Sequence, residues 1–430
     1  MRKTINKLFL IITVISALLL TTGCDLFIKT NKGQVDQKWY MGLTYEDNGN
    51  DTDYTIGTDG TIAAVALEDG YGDEFGIIKG EEAYLNINTI IKNIDKRFYV
   101  DATNNLVMFT DATKTYKTKI GGKTINETEN TDYVISFMDG KNCYVNVKFV
   151  KKYVDFDYKV VKAEGKSPAR IVLKYTSGEK NQMTVKSNIE MRTKADYQNL
   201  IVTTLKKNTK VTVLEESGDW TKVGTDDGFM GYVPAKKLKD KETKKTEFKS
   251  DADTYTHVLM NKKISLGWNA ITNLTANGNL ETIIEHTKGL NVISPTWYSL
   301  SDNKGNLRSY ASATYVEKAH SKGLKVWALV NDFGTQDKAS KEYTKKVLTD
   351  TTKRENLVDN IMTNIKDYNL DGINIDFEFI NKDIINSYLQ FLRELSIECR
   401  KAGKVLSIDN YVLSSGSEYY DIAHQSLVAD

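Results

Sequence analysis

A nine-residue stretch, 370–378, constrains the fold of this chain more than any other segment. Its residues alternate between apolar and polar with a period of two, which predicts a β-strand. The apolar members are Ile373, Ile375 and Phe377, and the polar members are Asn374, Asp376 and Glu378. This alternation also fits an ordinary sheet with one face in water. Helical segments on both sides favour a parallel strand that is buried on both faces. Burying a carboxylate there costs free energy unless it is paired or has a functional role.

The polar residues come toward the carboxyl end of this strand, where the active sites of parallel α/β barrels collect. We therefore interpret the stretch as a catalytic strand. From residue 257 onward the chain alternates strand with helix, which predicts a parallel sheet. The predicted strands are 264–268, 292–297, 325–330, 370–378 and 405–411, and the predicted helices are 279–287, 314–320, 354–368 and 383–402.

The segment 370–378 resembles the signature of glycoside hydrolase family 18, Asp-Gly-x-Asp/Asn-x-Asp-x-Glu on the fourth strand of a (β/α)8 barrel. Residues 294–298 and 409–411 are most similar to the spore-cortex and peptidoglycan-hydrolase branch of that family. The resemblance implies a cell-surface glycosidase that hydrolyses β-1,4 bonds next to N-acetylglucosamine, in peptidoglycan or chitin-like polymers, by a retaining, substrate-assisted mechanism. No cofactor is implied. The four histidines have no metal-ligand spacing, so we predict no metal site.

Three residues of the strand receive roles from this resemblance. Glu378 is implied as the general acid and then the general base, and we expect burial and the charge of Asp376 to raise its pKa. Asp376 is implied to orient the 2-acetamido group of the substrate. Asn374 stands where many family members carry a third acid, so the chain lacks one negative charge and one proton-sharing partner there.

Five aromatic residues lie at or near the ends of predicted strands. They are candidates to stack on sugar rings, or alternatively to fill the core. They are Trp268, Trp297, Tyr298, Trp327 and Tyr411. Residues 257–430 are shorter than the about 250 residues of a complete barrel, so we predict the amino-terminal part of a TIM barrel with about five strands. Residues 427–430 are expected to lead into a sixth strand, and the substrate pocket is expected to be incomplete.

The amino terminus has the order of a secretory signal, with Arg2, Lys3 and Lys7 before an apolar run at 8–20. That run is shorter than the about 20 residues that a membrane-spanning helix needs. Its ending at Cys24 resembles a bacterial lipoprotein signal. The resemblance implies export and lipid anchoring to the outer face of the plasma membrane, with the membrane contacted through the anchor only. A plain cleaved signal is the alternative.

Four further segments separate the signal at 1–24 from the predicted barrel. They are a tether with short strands at 25–75, a duplicated α+β domain at 76–180, a small all-β barrel at 184–240 and a charged linker at 241–256. The duplication is carried by residues 84–87, which recur as 144–147. The segment 76–180 resembles the stalk-like domain named after the amino terminus of copper amine oxidases. A spacer role is implied, with wall binding as the alternative.

The segment 184–240 resembles a bacterial SH3-like domain, which implies contact with the cell wall. Lysine and arginine number 58 against 57 acids, so net charge gives no reason to expect nucleic acid as a partner. Cys143 and Cys399 fall in different predicted domains, and we expect both to be buried without a disulfide. A non-catalytic wall-binding lipoprotein is the alternative function, and retention of Glu378 favours the enzyme.

Overall fold

The computed structural model describes residues 30–43, 60–249, 255–333, 338–412 and 420–430. The predicted signal and Cys24 lie outside the described residues. Clustering of contacts divides the chain into two compact units, one within Met1–Tyr84 and Asp155–Phe248 and the other within Leu85–Val154 and Lys249–Asp430. Within the described ranges, no helix combines the length and the apolar character needed to cross a membrane.

The elements between residues 30 and 174 are short strands and helices. They are α1 (Gln37–Tyr40), β1 (Thr61–Ala66), β2 (Gly76–Lys79), β3 (Glu82–Asn86), α2 (Ile87–Thr89), β4 (Phe98–Asp101), β5 (Leu106–Thr110), β6 (Thr115–Lys119), β7 (Thr124–Ile125), β8 (Glu129–Asn130), β9 (Ser136–Asp139), β10 (Asn142–Asn146), α3 (Val147–Tyr153), β11 (Asp157–Val161) and β12 (Ala169–Lys174). A π-helical turn, Ile90–Ile94, follows α2.

The sequence repeat corresponds to a repeat of structure. The order β2, β3, α2, β4 recurs as β9, β10, α3, β11. In both copies the asparagine that ends the second strand caps the following helix: Asn86 accepts the N–H of Asn88 and Asn146 accepts the N–H of Lys148, each at 2.9 Å. Asparagine suits this position because its side-chain oxygen satisfies a free amide of the first helical turn.

Seven antiparallel strands form the next sheet. They are β13 (Gly178–Val185), β14 (Ile189–Arg192), β15 (Ile201–Leu205), β16 (Lys210–Ser217), β17 (Trp220–Gly224), β18 (Met230–Pro234) and β19 (Leu238–Thr246). Their order in the sheet is β15-β14-β18-β17-β16-β13-β19. The inward side chains of the strands, such as Val185, Met191 and Val223, are buried in one apolar cluster. A small all-β unit therefore lies where the sequence predicts one.

The prediction of a linker at 241–256 is wrong for its first six residues. Residues 241–246 continue β19, which pairs with β13 from Leu238 to Thr246. The segment lacks apolar periodicity because most of its side chains are exposed, and its conformation is set by the backbone ladder. Charged residues are also what edge strands use to discourage pairing with other chains, so the charge run is compatible with a strand.

The region from residue 255 onward contains a parallel sheet with helices. Its elements are β20 (Leu266–Asn269), α4 (Leu280–Glu285), β21 (Val292–Pro295), β22 (Tyr298–Leu300), β23 (Leu307–Ser309), α5 (Ala313–Ser321), β24 (Lys325–Asn331), α6 (Lys338–Leu348), α7 (Thr351–Asp367), β25 (Gly372–Asp376), α8 (Ile385–Ala402), β26 (Val405–Ile408) and α9 (Ile422–Gln425). Strands β20, β21, β24, β25 and β26 pair in parallel in that order. Each of the five predicted strands is present, whereas the β22–β23 hairpin and α6 were not predicted.

The helices begin and end where their sequences dictate. Asp350 caps α7 by accepting the N–H of Lys353, and the residues Leu357, Ile361 and Ile365 are buried along one face. Gly403 ends α8 in the left-handed conformation with φ 62°, which a glycine adopts without steric cost. The buried faces of these helices pack on the outward side chains of the sheet in one large apolar cluster.

The predicted α+β domain at 76–180 is not a compact unit of its own, because the division at residues 84 and 154 falls inside it. Its middle part packs on helices of the parallel sheet. The Asp101 carboxylate accepts the N–H of Thr351 at 2.5 Å, and the Tyr99 hydroxyl lies 2.9 Å from Ser387 Oγ. These buried polar contacts join β4 to α7 and α8. Local sequence similarity identifies the repeat but carries no information on these long-range contacts.

Candidate active site

Strand β25 lies between β24 and β26 and carries the predicted catalytic residues. Ile373 and Ile375 are completely buried in the apolar cluster that faces the helices. Asn374 lies between them and faces the opposite side, where it is also completely buried. The predicted alternation is therefore observed, and it places Asn374 and Asp376 on the interior side of the sheet.

Asp376 is the last residue of β25 and is half-buried. Burial, followed by the negative charges of Asp409, Glu378 and Asp332, raises the pKa of Asp376 to about 7. A carboxyl group with this pKa carries a proton in a large fraction of molecules at neutral pH. The site therefore has a proton donor at the end of β25.

The prediction that Glu378 is buried is wrong, because its side chain is exposed. The strand ends two residues earlier, so Glu378 belongs to the loop that follows. Its negative charge nevertheless raises the pKa of Asp376. Burial, and then a hydrogen bond with the Glu378 carboxylate, raise the pKa of the Tyr411 hydroxyl to about 12. Glu378 thus occupies an accessible position beside Asp376, with Tyr411 as its neighbour.

Asp332 holds the loop that carries Glu378. It follows β24 directly, and its buried carboxylate accepts the backbone N–H groups of Glu378 at 2.9 Å and Phe379 at 3.1 Å. The Thr344 hydroxyl donates a third hydrogen bond at 2.9 Å. Burial raises the pKa of Asp332 to about 6, although these three donors oppose the shift. Sequence reasoning missed this residue.

Asp409 connects the next strand to the interior of the site. Its N–H continues the β26 ladder by donating to Ile375 O at 2.8 Å. Its carboxylate accepts the Asn374 Nδ2–H at 2.9 Å and a side-chain hydrogen bond from Trp268. Burial raises the pKa of Asp409 above its ordinary value, although these two hydrogen bonds oppose the shift. Asp332 and Asp409 both sit at carboxyl ends of predicted parallel strands, and this placement was the available signal for finding them.

The five aromatic candidates separate into two groups. Trp268 is 60% exposed and Tyr411 is 53% exposed, and both contact acids of the site. The other three are buried, so the prediction that Trp297, Tyr298 and Trp327 bind substrate is wrong. Trp297 donates its Nε1–H to Asn277 and packs edge-on against Tyr315.

Trp327 lies in the amino-terminal half of β24, paired in register with Gly372 at the start of β25. Its side chain is buried with Val292 and Val405. A Cβ on Gly372 would lie 2.9 Å from the Trp327 ring and 2.7 Å from Val405 O. The glycine of the motif therefore allows the close packing of the sheet interior beneath the acids.

The first acid of the motif, Asp371, lies at the opposite end of the strand from the site. Its carboxylate binds His320 Nε2 and Lys325 Nζ at 2.7 Å each and accepts the Val326 N–H at 2.9 Å. Burial raises the pKa of Asp371, but the hydrogen bonds from Lys325, Val326 and His320 outweigh it, and the pKa lies below the ordinary 3.8. These contacts join β25 to α5 and β24, which indicates a structural role.

We expect Asp371→Asn to lower the free energy of unfolding by roughly 1.5–3 kcal/mol at pH 7, the range for hydrogen bonds to charged groups. The folded-state pKa is depressed, so this contribution is present above pH 3.8 and is lost as the pH falls through the folded-state pKa. Urea denaturation of both proteins at pH 7 and pH 3 measures the difference. Asp359→Asn, on the exposed face of α7, is the control. An equal loss at both pH values would contradict the assignment.

Two protein-family models match parts of this chain. Residues 229–426 match the family model described as Glycosyl hydrolases family 18, and residues 187–239 match the model described as Bacterial SH3 domain. No protein among the curated sequences matches the chain. The first match includes β25, and the second includes the strands β14 to β18 of the seven-stranded antiparallel sheet.

Similar solved structures include three bacterial proteins. A chitinase from Chromobacterium violaceum is 16% identical, with 39% of this chain and 53% of that chain covered at a TM-score of 0.34. A class V chitinase from Pseudomonas fluorescens is 21% identical, with 39% and 52% covered at 0.34. The spore cortex-lytic enzyme SleL from Bacillus cereus is 20% identical, with 39% of each chain covered at 0.34. This chain spans about half the length of the chitinases it matches.

Proposed function

We propose that the region matching glycosyl hydrolases family 18 is a retaining glycosidase that hydrolyses β-1,4 bonds next to N-acetylglucosamine in peptidoglycan or chitin-like polymers. The single observation that carries the proposal is the pair of carboxyl groups at the end of β25. One of them, Asp376, has its pKa raised to about 7, and the other, Glu378, is accessible to a polymer. A partly protonated acid beside an accessible carboxylate is suited to general acid–base chemistry.

Each residue has a role in the proposed reaction. Glu378 protonates the glycosidic oxygen and then activates the water that completes hydrolysis. Asp376 orients the 2-acetamido group, whose carbonyl oxygen attacks C1, and stabilises its N–H as the oxazolinium forms. The exposed faces of Trp268 and Tyr411 are available for stacking on sugar rings. Asp332 maintains the position of Glu378 through the backbone of the loop.

The SH3 match supports the cell wall as the binding partner of the amino-terminal unit, and it favours peptidoglycan as the polymer. We further propose that the protein is exported and anchored through lipid on Cys24. In this arrangement the anchor fixes the protein to the membrane surface, the SH3-like unit binds the wall and the glycosidase acts on glycan strands nearby.

The test is incubation of the purified full-length protein with isolated peptidoglycan sacculi and, separately, with chitin. We expect soluble muropeptides and new reducing ends from sacculi, separated from the insoluble pellet by centrifugation. Release from chitin and not from sacculi would identify a chitin-like substrate. Binding to the pellet with no release from either polymer would contradict the enzyme and support a non-catalytic wall-binding protein.

A further inference from the structure

Two neighbouring polar side chains lie in the interior of the site. One is the amide of Asn374 on β25, and the other is the carboxyl group of Asp409, which follows β26. Asn374 is completely buried, and its Nδ2–H donates to Asp409 Oδ2 at 2.9 Å. A second hydrogen bond reaches Asp409 from Trp268 on β20, and the Asp409 N–H fixes its backbone to Ile375 O on β25. The Asp409 carboxylate is therefore held between two strands and directly against Asn374.

We infer that Asp409, the residue directly after β26, is a positioning residue that supplies the negative charge absent at Asn374, so that Asp376 retains a proton in the resting site. The inference rests on the proposed function, because it concerns the acid–base chemistry of the same strand. An amide donates to a neighbouring carboxylate, whereas an acid at 374 would face Asp409 at hydrogen-bond distance and one of the two would have to bind a proton. Asparagine at 374 thus allows Asp409 to remain ionised.

The charges that face these groups support this assignment. Besides burial, three acids raise the pKa of Asp376, and Asp409 is the strongest of them, before Glu378 and Asp332. The hydrogen bonds from Asn374 and Trp268 favour the ionised form of Asp409. Within the described ranges no side chain donates a hydrogen bond to the Asp376 carboxyl group. Asp409 therefore has two hydrogen bonds that favour its ionised form, and Asp376 faces that charge with none.

This distribution has a consequence for the proposed reaction. Glu378 needs a proton to act as the general acid, and Asp376 holds one two residues away on the same segment. Transfer of that proton from Asp376 to Glu378 leaves an ionised Asp376 that can accept the N–H of the acetamido group.

The inference is tested by carboxyl ¹³C NMR titration of Asp376 in the full-length protein, which requires no catalytic activity. We expect a midpoint near 7 in the wild type. Asp409→Asn should lower it by about one pH unit or more, because the like charge with the largest effect on Asp376 is removed while a hydrogen-bonding side chain is kept. The exchanged pair Asn374→Asp with Asp409→Asn should return the midpoint to the wild-type value. Asp359→Asn, on the exposed face of α7, should leave it unchanged.

Each outcome decides the inference. An unchanged Asp376 midpoint in Asp409→Asn would overturn it, because a purely structural Asp409 predicts that result. If Asp409→Asn does not fold, the exchanged pair decides alone, and loss of folding in both variants would show Asp409 to be structural. Release of reducing ends across pH is the second readout, and its profile should shift to lower pH in Asp409→Asn and recover in the exchanged pair. Absence of hydrolysis in the wild type would refute the proposed function and leave the NMR result valid.

Discussion

Replacing Glu378 by glutamine is expected to lower the rate of glycosidic hydrolysis by about 10²–10⁴-fold, the usual contribution of a positioned general acid or base. Glutamine has the shape of glutamate and can still accept the Tyr411 hydrogen bond, but it can neither give nor take a proton. Because Glu378 is exposed and follows the end of β25, the substitution should not disturb the core. Initial rates of reducing-end release from sacculi measure the loss.

The matched control is Glu281→Gln on α4, where an exposed glutamate pairs with Lys318 at 3.5 Å outside the candidate site. This variant should retain wild-type rates. Pelleting with sacculi provides a second comparison, since Glu378→Gln should bind them as the wild type does. A Glu378→Gln protein that keeps more than about a tenth of the wild-type rate would remove Glu378 from the mechanism.

The part of the site that the sequence predicted is the part that depends on local pattern. Alternation along β25 placed Ile373 and Ile375 in the core and Asn374 on the interior face, because side chains of a strand point to opposite faces whatever the neighbouring strands are. The burial of Glu378 was predicted by extending the alternation beyond Asp376, where the strand ends. A period of two carries no information on where a strand terminates.

The aromatic residues show a second limit. Trp268 and Trp327 both lie on strands of the parallel sheet, yet the first is exposed at the site and the second is buried beside Gly372. Trp268 lies on β20 at the end of the strand order, and the burial of Trp327 depends on the register of β24 with β25, neither of which a local pattern contains. The contacts of Asp332 with the Glu378 loop and of Asp409 with Asn374 are likewise between strands. Such pairs become visible only when the strands are placed side by side.

A buried ion pair between α7 and α8 gives the largest effect on stability that we expect. The Arg354 side chain is completely buried and donates from Nε and Nη2 to the two carboxylate oxygens of Glu394, at 3.0 and 3.1 Å. It also donates to Leu348 O at 2.8 Å and lies over the Tyr99 ring at 5.0 Å. The same guanidinium therefore joins both helices to β4, across the boundary that the sequence assigned to two domains.

We expect Arg354→Met to lower the free energy of unfolding by about 3–5 kcal/mol, because it leaves the Glu394 carboxylate without its partner in a site with little water. Methionine has a similar volume and keeps the apolar contacts of the side chain. Urea denaturation followed by tryptophan fluorescence measures the change. Lys401→Met removes a solvent-accessible ion pair with Glu398, at 2.8 Å on the same helix α8, and should cost less than about 1 kcal/mol.

The double variant Arg354→Met with Glu394→Leu separates the value of the ion pair from the cost of an unpaired charge. It removes both charges, and with them the hydrogen bond that Gln390 donates to Glu394 at 2.8 Å, while Gln390 keeps its hydrogen bond to Thr110 Oγ1 at 2.8 Å. Replacement of a complete buried pair by apolar side chains is often neutral, so the double variant should be more stable than Arg354→Met alone. If the double variant is as unstable as the single one, the loss comes from packing, from the contacts of Arg354 with Leu348, Thr351 and Tyr99, and from the Gln390–Glu394 hydrogen bond. In that case the guanidinium stabilises this region through its hydrogen bonds and stacking, and the charge of Glu394 is incidental.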